Sequence, residues 1–320
     1  MPQHVAVVFV HGINADSERF SLPMQEALRK LLPQELNHLV DFRSVFWADE
    51  VRDHQRKYLA DARLTGGIRH NKLRRLVVEG LGDAAAYQKT KHQDNSIYHR
   101  VQSQISAKIK NIDEDNRKQQ IADCSLIFIG HSLGCHIISS YMWDLNKLKQ
   151  RTEDDIKADL DPTVEPLWKD LQKASPFRRL ETCAGLITLG SNMPMFTFTF
   201  GPNSVYPVTS GPKDANGNEL KPAFPGVALS AALKDKARWL NFYSERDLLG
   251  FPLKPLNDGY RNAERIHDIR VQSEAPWFIP YVWCLYAHTG YWTNEIVLRH
   301  TSQLIRDMIE TPVETAAGAG

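Results

Sequence analysis

Residues 125–145 read SLIFIGHSLGCHIISSYMWDL, and this stretch decides the fold. An apolar run of β-branched and aromatic residues stops abruptly at Gly130, and the pattern Gly-x-Ser-x-Gly extends from there to Gly134. Apolar side chains then recur at the spacing of one helical face, which predicts an amphipathic helix. The order strand, tight turn, helix places Ser132 at the apex of the turn, with its hydroxyl pushed away from the main chain.

This turn has the properties that a nucleophilic serine needs. Gly130 and Gly134 carry no side chains, so the strand and the helix can pass close together. The start of the helix presents unpaired N–H groups and the positive end of the helix dipole, which together stabilise an oxyanion beside Ser132. The amide of Leu133 is the natural donor. We therefore interpret Ser132 as a nucleophile and not as an ordinary turn residue.

The composition restricts the class of protein. The chain has 320 residues, of which 42% are hydrophobic and 24% charged, as in an ordinary soluble globular protein with one large domain or two small ones. A net charge of +1 does not favour binding of nucleic acid or of anionic membranes. No apolar stretch approaches the ~18 residues of a membrane span, and no signal peptide is recognised.

The cysteines indicate the compartment. None of the four forms a Cys-x-x-Cys pair, and three lie in or beside apolar runs. This pattern favours buried free thiols over a disulfide framework, so we expect a cytoplasmic protein. No metal-ligand spacing is present, and we expect neither a metal nor another cofactor.

Apolar blocks alternate with helical patterns along the chain. Blocks without polar alternation are typical of strands buried on both faces. The predicted strands cover residues 5–10, 42–47, 125–130, 183–189, 239–243 and 266–271. We therefore predict an α/β fold with a mostly parallel central sheet and helices on both faces.

Three segments interrupt this pattern within one domain that we place at residues 1–310. Helical insertions are expected at about 50–121 and 150–182. The segment 193–236 is rich in Phe, Pro and Gly, and we expect a cap or lid there. Alternating phenylalanines at its start predict a β-hairpin arm or a flap. Residues 311–320 are expected to form a disordered tail.

A serine nucleophile needs a base, and the base needs a carboxylate that orients it. In an open parallel sheet these groups come from loops at the carboxyl ends of the strands. Asp247 fits the acid because it follows a predicted strand and precedes the apolar run LLGFP. Two alternatives are Asp258, in a turn, and Asp268, inside a strand.

His288 fits the base because it follows an aromatic run and comes just before the predicted last helix. His267 is the alternative, although it lies at the start of a strand. His300 falls within the last helix, where a surface or packing role is expected. His131 lies inside the turn itself, where its position suits packing better than proton transfer.

The end of the first strand fits an oxyanion loop. There the chain reads His11-Gly12-Ile13, and the N–H of Ile13 can point toward the same place as that of Leu133. Gly12 supplies the bend, and His11 is expected to be structural.

These motifs resemble those of the α/β-hydrolases, and in particular of lipases and esterases with a His-Gly-x oxyanion loop. The stretches Val8–Ile13 and Gly130–Gly134 carry the resemblance, together with the chain order Ser132, Asp247, His288. It covers about half of the chain. It also implies that the chain begins at the family's third strand, with the first two missing, as in small minimal-core lipases.

The resemblance implies acyl transfer to water through an acyl-enzyme intermediate. Ser132 would be the nucleophile, His288 the base and Asp247 the residue that holds the imidazole, while Ile13 and Leu133 would hold the oxyanion. We expect a carboxylic ester with a lipid-like or medium acyl chain as the substrate. An apolar pocket would be lined by Phe196, Phe198, Trp277 and Phe278, although these side chains could equally pack in the core.

Two other interpretations remain open at this stage. The same fold and triad serve thioesterases, amidases and acyltransferases, which the residues alone do not distinguish. A non-catalytic binding protein on this fold would require a broken triad, and none of the three residue types is missing. The expected partner is a small-molecule or lipid-like ester. We expect neither a nucleic acid nor a membrane-spanning segment, and no oligomeric state is assigned.

Overall fold

A computed structural model describes residues 3–12, 15, 17–66, 87, 96–159, 161–198, 201, 205–211, 219–272 and 287–312. The strands are β1 (His4–Val10), β2 (Val40–Val45), β3 (Cys124–His131), β4 (Cys183–Leu189), β5 (Arg238–Tyr243) and β6 (Ile266–Arg270). The α-helices are α1 (Leu22–Leu31), α2 (Asp49–Gly66), α3 (Ile97–Lys118), α4 (Leu133–Lys149), α5 (Glu153–Lys157), α6 (Val164–Lys173), α7 (Met193–Thr197), α8 (Ala231–Lys236), α9 (Asp258–Arg261) and α10 (Glu295–Glu310). Short 3-10 helices span Gln34–Leu39, Lys254–Leu256 and Gly290–Thr293.

The six strands form one parallel sheet in the order β2-β1-β3-β4-β5-β6. This confirms the predicted α/β fold. The chain runs outward from β1 to β2 and then crosses to β3 on the other side, so the strand order reverses between β1 and β3. In open parallel sheets, ligands bind beyond the carboxyl ends of the strands at such a reversal. The His-Gly-x motif, which contains Gly12, directly follows the end of β1, and Ser132 of the Gly-x-Ser-x-Gly motif directly follows the end of β3.

Both faces of the sheet are covered by helices. Along β1, successive side chains alternate between two cores: Ala6, Val8 and Val10 lie in one, and Val5, Val7 and Phe9 in the other. The first core is completed by α3 and α4, and the second by α1, α8 and α10. Burial of each such aliphatic or aromatic side chain stabilises the fold by about 1.5–3 kcal/mol.

The phenylalanine-rich start of segment 193–236 departs from its prediction. The predicted β-hairpin arm is wrong, because Met193–Thr197 form the short helix α7. Pro194 lies in its first turn, where the missing proline N–H costs no helical hydrogen bond. Further along, Val208 and Phe224 are fully buried in the core that α3 and α4 complete. A cap formed by this segment stays a prediction.

The two other segments predicted to be insertions contain helices, α2 and α3 in the first and α5 and α6 in the second. None of the helices within the described parts of the chain has the length and hydropathy of a bilayer-crossing segment.

Three cysteines, Cys124, Cys135 and Cys183, are buried free thiols, as the sequence predicts. Burial raises the pKa of each to about 12, so none is a thiolate at neutral pH. Cys284 lies outside the described residues.

Candidate active site

Ser132 occupies a strained turn between β3 and α4. Its backbone angles, a φ of 54° and a ψ of −124°, lie in a region that residues other than glycine rarely adopt. Backbone strain of this kind costs about 1–3 kcal/mol and persists only where the surrounding structure enforces it. Close packing at Gly134 holds the turn in this conformation, because a Cβ added there would lie 2.3 Å from the carbonyl oxygen of Val10. The helix start is therefore pressed against the end of β1.

The loop after β1 contacts Ser132 directly. A Cβ added to Gly12 would lie 2.4 Å from Ser132 Cβ and 3.1 Å from Ser132 Oγ. His11 has a structural role. Its Nε2 accepts a hydrogen bond from the main-chain amide of Trp47 over 2.9 Å, and its ring stacks on the Trp47 indole with ring centroids 4.9 Å apart. Ile13, the predicted oxyanion donor, lies outside the described residues. Leu133 is the first residue of α4, so its N–H belongs to those without a partner inside the helix.

Asp247 and His288 form a buried acid–base pair beyond β5. Nδ1 of His288 lies 3.0 Å from Oδ1 and 2.9 Å from Oδ2 of Asp247. The amide of Leu249 donates to Asp247 Oδ1 over 2.9 Å. Burial alone would raise the pKa of the Asp247 carboxyl, but the hydrogen bond and charge of His288 and the Leu249 amide bring it below its ordinary value. Asp247 is therefore an anion that orients the imidazole.

Two atoms of the predicted triad are among the buried polar atoms that have no hydrogen-bond partner in the described part of the chain. These are Ser132 Oγ and His288 Nε2, and both are buried. Buried polar atoms are nearly always hydrogen-bonded, and exceptions are common at catalytic sites. The Ser132 amide donates to the carbonyl of Leu189 over 2.9 Å, and the next residue, Gly190, contacts Asp247 and His288. The end of β3 is thus hydrogen-bonded to the end of β4, and the residue that follows β4 lies against the Asp247–His288 pair.

His131 links the nucleophile turn to the base loop. Its Nε2 donates to the main-chain carbonyl of His288 over 2.5 Å, and the two rings lie 4.8 Å apart. Burial, and to a smaller extent His288, lower the pKa of His131 to about 3, so the ring is neutral and donates through Nε2–H. His131 is thus a fixed contact between two loops that are far apart in sequence.

The alternative acids and bases lie elsewhere. Asp258 is exposed and pairs with Arg261 at 2.6 Å. Asp268 accepts the amides of Leu253 and Lys254, at 2.9 and 2.8 Å. An open cleft of about 450 Å³ is lined by Asp268, by the alternative base His267 and by His300, and its lining does not include Ser132.

The four predicted pocket residues are placed unevenly. Phe196 stacks on His136, with ring centroids 4.3 Å apart. Phe198 is 77% exposed. Trp277 and Phe278 lie outside the described residues.

Gly190 and Tyr291 belong to the same group, although sequence reasoning gave neither a role there. A Cβ at Gly190 would lie 2.8 Å from Asp247 Oδ2 and 3.1 Å from His288 Nδ1, and its φ is +56°. Tyr291 donates its hydroxyl to Asp247 Oδ2 over 2.8 Å. The only sequence signal for Gly190 is its position at the end of an apolar strand.

Gly190→Ala is expected to lower kcat about 100-fold, because a displacement of the acid and base by the added methyl has an effect of that order. The positive φ adds about 1–2 kcal/mol of strain, which should appear as a lower free energy of unfolding in urea. Gly290→Ala is the matched control, since a Cβ there meets nothing within 4 Å. Equal kcat values for the two variants would contradict the placement of Gly190 against the acid–base pair.

No family model and no curated protein matches the chain. Among solved structures, it is similar to one described as "LipS and LipT, two metagenome-derived lipolytic enzymes", with 12% identity and a TM-score of 0.40, over 96% of this chain and 95% of that one. It is also similar to Est1E from Butyrivibrio proteoclasticus, with 12% identity and a TM-score of 0.36, over 97% of this chain and 90% of that one. TM-scores this low carry no weight, so the fold rests on the strand order and the site on its side-chain contacts.

Proposed function

We propose that the chain is a serine hydrolase that cleaves a carboxylic ester through an acyl-enzyme intermediate. One observation carries the proposal: Ser132 Oγ and His288 Nε2 are buried without a partner among the described residues, while Asp247 holds the other nitrogen of the same imidazole. The two atoms are not hydrogen-bonded to each other in this structure, and in the proposed reaction they come within hydrogen-bond distance when substrate binds.

In the acylation step, Ser132 Oγ attacks the ester carbonyl carbon while His288 Nε2 takes the hydroxyl proton. The carbonyl π electrons move to oxygen and form a tetrahedral oxyanion. Collapse of this intermediate breaks the bond to the alcohol oxygen, which leaves with the proton from His288 Nε2. Asp247 stabilises the imidazolium between the two proton transfers, and its depressed pKa keeps it ionised throughout.

In the deacylation step, water takes the place of the alcohol. His288 Nε2 removes a proton from water as its oxygen attacks the acyl carbon, and a second tetrahedral oxyanion forms. Its collapse releases the carboxylic acid and returns the proton to Ser132 Oγ. Both oxyanions would be held by the amides of Leu133 and Ile13. The position of Leu133 at the start of α4 and the contact between Gly12 and Ser132 support this assignment.

The proposed substrate is an ester with a lipid-like or medium acyl chain. The aromatic side chains of the proposed pocket support this choice: Phe196 packs on His136, which follows Ser132 by four residues on α4, and Phe198 presents an exposed ring. Trp277 and Phe278, which lie outside the described residues, are assigned to the proposed pocket from the sequence alone. The three buried free thiols support the proposal of a cytoplasmic location.

A fluorophosphonate probe tests the reaction class. Wild-type protein is expected to gain one adduct by intact mass, located on Ser132 by peptide mapping, because the probe reacts only with activated serines. Heat-denatured protein is the control and should gain none. An adduct on another serine, or neither adduct nor turnover of aryl esters, would refute the proposal. A panel of matched esters, thioesters and amides with short, medium and long acyl chains then ranks the acyl group by kcat/KM.

A further inference from the structure

The Asp247 carboxylate is bound by more than the imidazole. Its side chain is fully buried, so its charge depends on protein hydrogen bonds and not on water. Oδ1 accepts the Leu249 amide, and both oxygens lie within hydrogen-bond distance of His288 Nδ1. Oδ2 also accepts the hydroxyl of Tyr291 over 2.8 Å. That hydroxyl is a neutral donor that reaches the carboxylate in addition to the imidazole.

Tyr291 is well placed to hold this contact. It is 1% exposed and lies three residues after His288, within the 3-10 helix Gly290–Thr293. One short segment therefore supplies both the base and a second ligand for the acid. Burial and the Asp247 charge raise the pKa of Tyr291, so its hydroxyl keeps its proton and remains a donor.

The main chain at Gly190 packs against the Tyr291 ring beside its hydrogen bond to Asp247. A Cβ at Gly190 would lie 2.7 Å from Tyr291 Cε2, so the tyrosine ring packs against the bare main chain at the end of β4. The close approach of the ring to the main chain at Gly190 limits its movement away from Asp247 on that side.

We propose that Tyr291 is a positioning residue that locks the Asp247 carboxylate and draws part of its charge away from His288. This inference rests on the proposed function, since it assigns Tyr291 a role in that same site. Because a hydrogen bond from a neutral hydroxyl stabilises the anion, its removal leaves a stronger negative potential at the imidazole. His288 should then take up a proton at a higher pH.

Tyr291→Phe keeps the ring and deletes the donor. His288 must be neutral to act as a base, so kcat/KM falls as the pH drops through its titration midpoint. We expect the acid limb of the kcat/KM profile to move upward by about one pH unit, the shift that loss of one hydrogen bond to a charged group produces. Activity on the plateau should fall far less. A variant that merely loosened the site would lose activity at every pH and keep the limb in place.

Tyr260→Phe is the matched control. Tyr260 is also 1% exposed, but it packs edge-on against Trp239, with ring centroids 6.1 Å apart, and does not contact Asp247. The acid limb of the kcat/KM profile of Tyr260→Phe should coincide with that of the wild type. An unshifted limb in Tyr291→Phe, or an equal shift in both variants, would overturn the proposal.

An NMR titration of the histidine rings separates this proposal from the proposed function. His288 is assigned by its loss in His288→Gln, and its midpoint is compared between wild type and Tyr291→Phe in folded protein, without substrate. We expect the same upward shift of about one unit. If the wild type hydrolyses no ester and gains no adduct, the proposed function fails, yet the titration still decides the role of Tyr291. An identical midpoint in both proteins would refute that role even in an active hydrolase.

Discussion

Ser132→Ala is expected to lower kcat for ester hydrolysis by about 10⁶-fold and to abolish fluorophosphonate labelling. The reason is that alanine removes the atom that bonds to the acyl carbon, while the base, the acid and the helix start remain. Residual turnover should come from binding and from the oxyanion donors alone. Initial rates with an aryl ester and intact-mass labelling measure the two effects.

The same substitution should leave the fold intact or stabilise it by about 1 kcal/mol, because it deletes a buried hydroxyl without a described partner. Ser125→Ala is the matched control on β3: Ser125 is 1% exposed, and its hydroxyl donates to Gln3 Oε1 over 3.2 Å. That variant should lose about 1 kcal/mol of unfolding free energy and keep its kcat. Substantial turnover by Ser132→Ala would remove Ser132 from the mechanism.

Asp247→Asn is expected to lower kcat by about 10⁴-fold with little change in shape. An amide at this position can donate to Nδ1 of His288 and so stabilise the wrong tautomer, with its proton on Nε2. His288 could then no longer accept the proton of Ser132. The loss of negative charge also leaves the imidazolium of the transition state without a counter-ion. The kcat value and the far-UV circular dichroism spectrum separate this effect from unfolding.

Asp268→Asn provides the comparison between the buried Asp247 and a half-buried aspartate that is also held by hydrogen bonds. Asp268 accepts the Leu253 and Lys254 amides and the side-chain amide of Asn241, at 2.9, 2.8 and 2.7 Å. Loss of its charge should lower the free energy of unfolding by about 1–3 kcal/mol and leave the chemical step in place. The reverse pattern, with Asp268→Asn inactive and Asp247→Asn active, would assign the role of the acid to Asp268.

The centre of the sheet could be predicted because β3 and β4 are buried along their whole length and appear in the sequence as continuous apolar blocks. The edge strands β2 and β6 are only partly buried and include charged residues, yet they too are parallel strands of the sheet. The turn at Ser132 could be located because its two glycines are fixed by close contacts of main chain with main chain. Where the pattern was short, it failed: the alternation of Phe196 and Phe198 has the period of a strand, yet Pro194 starts a helical turn there.

The rest of the site depends on which strand ends become neighbours. Gly190 faces Asp247 because β4 lies beside β5, and this adjacency is a property of the strand order and not of either segment alone. Tyr291 reaches the same carboxylate from a loop more than forty residues further along the chain. Local patterns predict elements and turns, but they carry no information about a partner contributed by a distant loop.

The bond from His131 to the carbonyl of His288 spans 157 residues of sequence. At the other end of the sheet, the Gln3 amide donates to the carbonyl of Ile309 over 3.2 Å, which ties the start of the chain to its last helix. A chain that is still being synthesised therefore carries Ser132, the proposed nucleophile, long before His288, the proposed base. Until residue 288 has left the ribosome, the proposed base is missing, so activity should arise in a single late step.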